Sequence, residues 1–316
     1  MATSGSVNLS ATATDIITEA MEQLGVLSEG QSPSANALTA NNRTLNYLVK
    51  AWQASGLNLF ALKKSYLFLT EDTSEFTLSS SGAHWTDTYY STQLSVAAVA
   101  TDGTITVDDD ANITDGDYIG IECDDGTMHW TTVNGAPVAN VVTLTTAMDA
   151  AAAIDSYVFN YTTKAERPMK LYEVTTLDTS NNEIPVTIVD SPTEYINLPN
   201  KTSDGRVNTV WWLPQRNTGV LSVWPQTNDV TQILKVWHQR TLEDIDTVAT
   251  DEVDYPQEWF LPLAMNLAMM LLGKYGVPAE KKKLITDQAM YWKMIAEGWD
   301  AEDGFSLQPE TEHNRG

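Results

Sequence analysis

Residues 255–276 read YPQEWFLPLAMNLAMMLLGKYG, and from Trp259 to Leu272 this stretch carries no charged residue, in a 316-residue chain of formal net charge -24. What covers that run decides the fold. A membrane is one possible cover, but crossing hydrocarbon takes about 20 apolar residues. The run is shorter than that, contains Pro262 and Asn266, and lacks basic flanks of the kind that orient a spanning helix. The opening residues, MATSGSVNLSATATD, have neither the basic segment nor the apolar core of a signal peptide. A helix that is apolar on every side is buried in a protein core, so other parts of the chain are expected to surround this one.

The surrounding elements are found at the opposite end of the chain. Thr12-Ala-Thr-Asp15 approximates a capping box, Ile16, Ile17, Ala20, Met21 and Leu24 make one apolar face, and Gly25 stops the helix. Ser32-Pro33 offers an N-cap and a first-turn proline to a second helix that carries Leu38, Leu45, Leu48, Val49 and Trp52 and ends at Gly56. Pro256 opens the apolar helix, which runs to about Gly273, and Val277-Pro278 starts a fourth. On the fourth, Ile285, Ala289, Trp292, Ala296 and Trp299 recur at steps of four and three, with Lys281 to Lys283 on its exposed first turn.

From about residue 60 to 250 the pattern changes to alternating β-branched and aromatic residues broken by Asp-Gly, Asn-Gly and Pro. The fold class that follows is α+β: a helical bundle formed by both chain termini, with a large antiparallel β insertion containing an acidic barrel- or sandwich-like subdomain. By composition the chain divides into 1–62 (helical), 63–163 (acidic β), 164–250 (antiparallel β platform), 251–300 (helical) and 301–316 (tail).

Hydrophobic residues at 42% and charged residues at 19% are ordinary for a folded protein, so the acidity does not come from a disordered tail. It comes from missing bases. Between Ser65 and Thr163 there is no Lys or Arg and there are fifteen Asp and Glu. Such a region repels a phosphate backbone, which argues against reading of nucleic acid there. The single cysteine, Cys123, forms no intramolecular disulfide and stands beside Glu122, Asp124 and Asp125, which disfavour a thiolate. It reads as a small strand residue.

Signatures of chemistry are few. Asp108, Asp110 and Asn112 begin like a calcium loop, but Ile113 stands where the loop needs Gly and Ile119 where it needs a bidentate Glu. The four histidines, His84, His129, His238 and His313, are scattered, and none pairs with another at helical spacing. There is no phosphate loop, dinucleotide fingerprint or nucleophile elbow. No catalytic residue, cofactor or metal is therefore assigned. A cell-wall hydrolase stays open, because a carboxylate pair leaves no motif, and so does a receptor- or glycan-binding tail protein using the acidic insert. Trp211-Trp212, Trp224 and Trp237 read as core and subunit contact before sugar platform.

Three segments taken together resemble the head-to-tail adaptor proteins of short-tailed bacteriophages. They are DIITEAMEQLGVLSEGQSPSANALTANNRTLNYLVKAWQASGLNLF, SPTEYINLPNKTSDGRVNTVWWLPQ with LSVWPQ, and DYPQEWFLPLAMNLAMMLLGKYG with WDAEDGFSLQPE. The resemblance covers most of both helical ends and the second β part, through loose patterns of many positions. The acidic insert, with GDYIGIECDDGTMHWTTV, looks like a module found in some such proteins. The resemblance implies a non-enzymatic virion protein of the tail or neck, assembled in the host bacterial cytoplasm. It implies a twelve-fold ring of this chain beneath the portal protein, bearing the tail nozzle protein and tail fibres, with double-stranded DNA passing through its lumen without sequence-specific contact. By the same analogy the last helix and the tail reach the portal, through Trp299, Phe305 and Leu307 in GWDAEDGFSLQPE.

Overall fold

The computed structural model describes residues 5–28, 30–55 and 59–300. Its helices are α1 (Ala13–Leu24), α2 (Ala35–Ser55), the short α3 (Pro192–Ile196), α4 (Phe260–Leu271) and α5 (Ala279–Trp299). The chain forms two compact units: Met1–Ala61 with Leu242–Gly316, and Leu62–Thr241. The fold class is α+β, with the helices of the two chain ends packed together and a large β region in the second unit.

In the helical unit local chemistry sets the boundaries. Thr12 caps α1, accepting from the Asp15 amide while the Asp15 carboxylate accepts from the Thr12 amide at 2.9 Å, and Gly25 ends the helix in the left-handed region at φ 71°. For α2 the cap differs from expectation. Ser34 rather than Ser32 occupies it, its hydroxyl accepting from the Ala37 amide at 3.3 Å. Pro33 pushes Ser32 toward extended backbone, so the next serine begins the helix. The apolar run becomes a 3₁₀ turn, Gln257–Trp259, followed by α4, and α4 packs against α1, α2 and α5. Leu263, Ala264, Leu267, Ala268 and Leu271 are buried with Ile16, Ile17, Leu45, Val49 and Ile285. Asn266, the polar residue in this run, is itself buried and donates to Pro262 O at 2.9 Å and Ala289 O at 3.0 Å, so it ties α4 to α5.

The second unit begins with β1 (Leu62–Phe68), β2 (Glu75–Leu78) and β3 (Trp85–Thr86). The acidic stretch supplies β4 (Tyr90–Gln93), β5 (Thr104–Thr106), β6 (Tyr118–Glu122), β7 (Met128–Thr132), β8 (Val141–Thr143) and β9 (Tyr157–Tyr161). Then follow β10 (Lys170–Leu177), β11 (Glu183–Val189), β12 (Thr209–Pro214), β13 (Gly219–Trp224) and β14 (Ile233–Gln239).

Eight strands form one sheet in the order β2-β13-β12-β11-β10-β14-β1-β3. Its two edge strands, β2 and β3, are consecutive in the chain, and the Ala83 amide donates to Thr77 O at 2.8 Å, so the sheet curls almost into a barrel. Two features depart from the composition-based division. Residues 62–86 belong to this sheet and not to the acidic module, because β1 pairs along its whole length with β14. The platform is also not wholly antiparallel: β11 and β12 run parallel. The 190–208 connection, which includes α3, is long enough for the crossover that a parallel pair needs.

The acidic stretch folds into a small closed barrel. The sheet β4-β9-β6-β7 and the ribbon β5-β8 are joined by isolated bridges, Leu94↔Val107 at one seam and Val133↔Leu144 at the other. Alternation along the strands sends Ile119, Ile121, Val142, Val158 and Ile105 to the interior. The opposite face of β6, β7 and β9 carries Tyr118, Trp130, Tyr157, Phe159 and Tyr161, which gather around Phe68 of β1 as a second, aromatic layer. This explains why YIGIE and YVFNY are apolar at nearly every position: one face fills the barrel and the other is covered by the large sheet.

Candidate functional site

The surface that stands out in the helical unit is one side of α5. Ile285, Ala289 and Ala296 are buried toward the bundle, with Lys293 beside them, its ammonium 5.2 Å above the Trp52 ring and 3.2 Å from the Glu297 carboxylate. On the far side, Met290, Tyr291, Met294, Ile295 and Trp299 are exposed to between 43% and 62%. Helical spacing of 100° per residue places these five, with Gln288 and Gly298, on an arc free of charge over the last three turns. A monomer surface normally scatters its apolar residues, whereas here they are gathered on one side of a helix.

Trp299 ends α5 at the edge of that strip. Asp300, the residue after it, caps the helix: its amide donates to Ala296 O at 3.0 Å and its carboxylate accepts from the Phe60 amide at 3.3 Å. Burial raises the Asp300 pKa, since little solvent reaches the charge. The helix end is thus pinned while Trp299 stays exposed. The other two residues assigned to the partner contact, Phe305 and Leu307, lie outside the described residues. Met290, Tyr291, Met294 and Ile295 were not assigned from sequence, although their lack of charge on one arc is visible there.

Clusters that resemble catalytic sets turn out to be structural. Asp87, Ser65 and His238 are linked, Ser65 Oγ donating to Asp87 Oδ1 at 2.5 Å and lying 2.8 Å from His238 Nε2. The serine sits between the other two, whereas a nucleophilic triad needs the histidine in the middle. Ser65 and His238 are also buried, and desolvation lowers the His238 pKa to about 4. His129 is buried on β7 and holds the 146–149 loop, with Nδ1 2.8 Å from Asp149 and Nε2 3.3 Å from Thr146 O. Asp109 accepts the Ala111 amide and so forms a turn, while Asp110 accepts the Asn140 amide and ties that turn to the one before β8. Cys123 is buried, and its thiol pKa is raised chiefly by that burial. Among the described residues no group of three or more His, Cys, Asp and Glu is placed to hold a metal ion, and no helix is long and apolar enough to cross a membrane.

No family model matches the chain, and no curated protein matches it. Among solved structures, the Gp54 tailspike of Acinetobacter baumannii bacteriophage AP22, in complex with A. baumannii capsular saccharide, overlaps 25% of this chain at 15% sequence identity and a TM-score of 0.22. The overlap spans 15% of the tailspike chain, a partial likeness from which neither fold nor function follows.

Proposed function

We propose that the chain is a structural virion protein, a head-to-tail adaptor that joins a portal ring to the tail nozzle and continues the DNA channel. The observation that carries this reading is the uncharged, exposed arc of α5 at the end of the described chain, in the helix that the adaptor resemblance assigns to the portal. Covering a half-exposed Met, Tyr, Ile or Trp stabilises a contact by on the order of 1 kcal/mol each, so five such residues suffice to anchor a helix on a partner. The helical unit also carries a second, unlike surface, a groove of about 450 Å³ in which the apolar Leu9, Ile16, Phe260 and Leu261 are edged by Asp15 and Glu19. Two different apolar surfaces on one unit suit head-to-tail self-association, which builds a ring when the rotation closes. The acidic module, with no base from Ser65 to Thr163, suits a body along which DNA passes without adhering.

The test is imaging of the purified protein alone and mixed with the portal ring of the same virion, since a ring that needs its template forms only in the mixture. A collar of added density with the symmetry of the portal is the expected result. A chain shortened after Asp300 keeps its fold and loses attachment if Phe305 and Leu307 anchor it. A persistent monomer in the presence of the portal overturns the reading.

A further inference from the structure

The helical unit has one surface built from residues without acids and another built from residues without bases. From Gln31 to Thr70 the chain holds none of its 42 Asp and Glu, and α2 lies wholly inside that stretch. Thr39, Arg43, Tyr47 and Ala51 follow one another along α2 at steps of four and are all exposed, Tyr47 to 63%. The segment after Thr241 closes one flank of the helix: Asn42 Nδ2 donates to Ile245 O at 2.9 Å, and Asp244 takes Lys50 at 2.7 Å. Glu243 and Asp246 belong to that flank and not to the exposed stripe. Arg43 itself makes no ion pair among the described residues. Arginine and tyrosine one turn apart on a bare helix face are the residue types that most often anchor an interface.

The groove between α1 and α4 is the opposite case. Ile16 and Ala264 form its buried floor, Phe260 and Leu261 one wall, and Leu9 stands at its rim, held by its amide on Gln257 Oε1 at 3.0 Å. Asp15 and Glu19 edge it. The two stretches that build it, Met1 to Asn42 and Thr241 to Gly273, contain no Lys or Arg. Lys281 of α5 lies over Gly25, at the far end of α1. Asp15 accepts from Thr12 and Glu19 from Gln23 Nε2 at 2.8 Å, which leaves each carboxylate lone pairs for a further donor. An apolar trough edged by two such acids selects an occupant with an apolar body and a cationic head.

The uncharged arc of α5 has no base with which to answer these acids. Among the bases of the unit, Lys274 donates to Asn41 and Lys293 pairs with Glu297, while Lys282 and Lys283 share the start of α5 with Glu280 and Asp287. The α2 stripe has what the groove lacks. Because α2 is packed in the same bundle, its exposed side cannot turn into the groove of its own chain. We propose that a second copy of this chain fills the groove, with its Tyr47 ring against Leu9, Phe260 and Leu261 and its Arg43 guanidinium on Asp15 and Glu19. The contact joins two different surfaces, so it propagates head to tail. It deepens the adaptor reading by naming where copies meet, rests on that reading only for closure of a ring, and leaves the α5 arc to the portal.

The test is sedimentation velocity of the full chain without portal, over a range of protein and salt concentrations. The wild type is expected to form oligomers that grow with concentration and weaken with salt. Arg43→Glu and Glu19→Arg, both on solvent-facing helix positions, should each weaken association about tenfold or more, and a chain carrying both should regain it. Tyr47→Ala should weaken association and leave its salt dependence unchanged. Melting curves on each variant establish that the fold persists. A wild-type chain that stays monomeric throughout overturns the contact, as does association that neither charge reversal alters. A double variant no better than the single ones overturns the pairing of Arg43 with Glu19. Since no portal is present, these outcomes are separate from portal attachment, whose loss would count against the adaptor reading alone.

Discussion

α4 and α5 are neighbours in the chain and pack on each other, and each has a long surface without charge, yet one surface is covered and the other is bare. On α4 the cover is complete on most sides: α1, α2 and α5 surround it, and Leu263, Leu267 and Ala268 are fully buried. On α5 the buried stripe is narrow, Ile285, Ala289 and Ala296, and the bare arc of Met290, Tyr291, Met294 and Ile295 is on the other side. An absence of charge therefore does not by itself tell whether a surface is covered within the chain: that of α4 is, and the arc of α5 is not. The first kind of surface holds up the fold, and the second is available to hold a partner.

That difference predicts unequal responses to substitution. Leu267→Ala should cost the helical unit about 2–5 kcal/mol, because the site is enclosed on all sides and leaves a cavity; denaturant unfolding followed by circular dichroism measures it. A cost below about 1 kcal/mol would show that α4 is not the centre of the bundle. Asn266→Ala should come next, at roughly 1–2 kcal/mol, since it removes one hydrogen bond within α4, to Pro262 O, and one that ties α4 to Ala289 O of α5. A cost below about 0.5 kcal/mol would show that the bond to Ala289 O does not hold the two helices together.

Much of this was legible in the residues. The capping box of Thr12 and Asp15, the stop at Gly25 and the burial of Trp259–Leu272 are local signals, and local signals survive folding unchanged. Barrel closure was legible only as a class, because its seams rest on single bridges, Leu94↔Val107 and Val133↔Leu144, between residues that no periodicity links. Residues 63–86 match the acidic module in composition, whereas β1 and β2 pair with β14 and β13, far along the chain. The stacking of His84 on Trp130 gave no signal for the same reason: it joins positions far apart in the chain that are individually unremarkable. Trp299 stands out in the sequence and is exposed, but the four apolar residues before it do not stand out, since the buried stripe dominates the periodicity of the helix.

At the end of α5, Asp300 offers a smaller and pH-dependent handle on the boundary between the covered and the bare surface. Its pKa is raised in the folded chain, so the folded state binds a proton more readily than the unfolded one. Its contribution to stability is therefore most favourable at low pH and declines as pH rises from the ordinary carboxylate value through the raised one. Asp300→Asn keeps an oxygen for the Phe60 amide and has no charge to bury. The variant should melt slightly above the wild-type chain at pH 7, and the gap should close as the pH is lowered. A lower melting temperature at pH 7 would mean that the charged carboxylate holds the Leu59 and Phe60 amides more strongly than an amide oxygen does.

The smallest effect on stability should accompany the largest effect on assembly. Met294 is among the most exposed apolar residues of α5, and Glu has a helix propensity close to that of Met, so Met294→Glu should shift folding by no more than about 0.5 kcal/mol. Ile295→Glu should behave alike, with the added relief of a β-branched side chain replaced by a straight one. If the bare arc is a contact, either carboxylate would be buried there without a partner, a penalty of several kcal/mol on association, and sedimentation of the variant with the portal ring should show free chain at concentrations where the wild type is bound. Lys293→Gln is the control: it neutralises a neighbouring charge on the covered side and should leave association intact. Were Met294→Glu instead to destabilise the isolated chain by as much as Leu267→Ala, the arc would be covered from within, α4 and α5 would be surfaces of one kind, and the partner contact would have to be sought elsewhere on the helical unit.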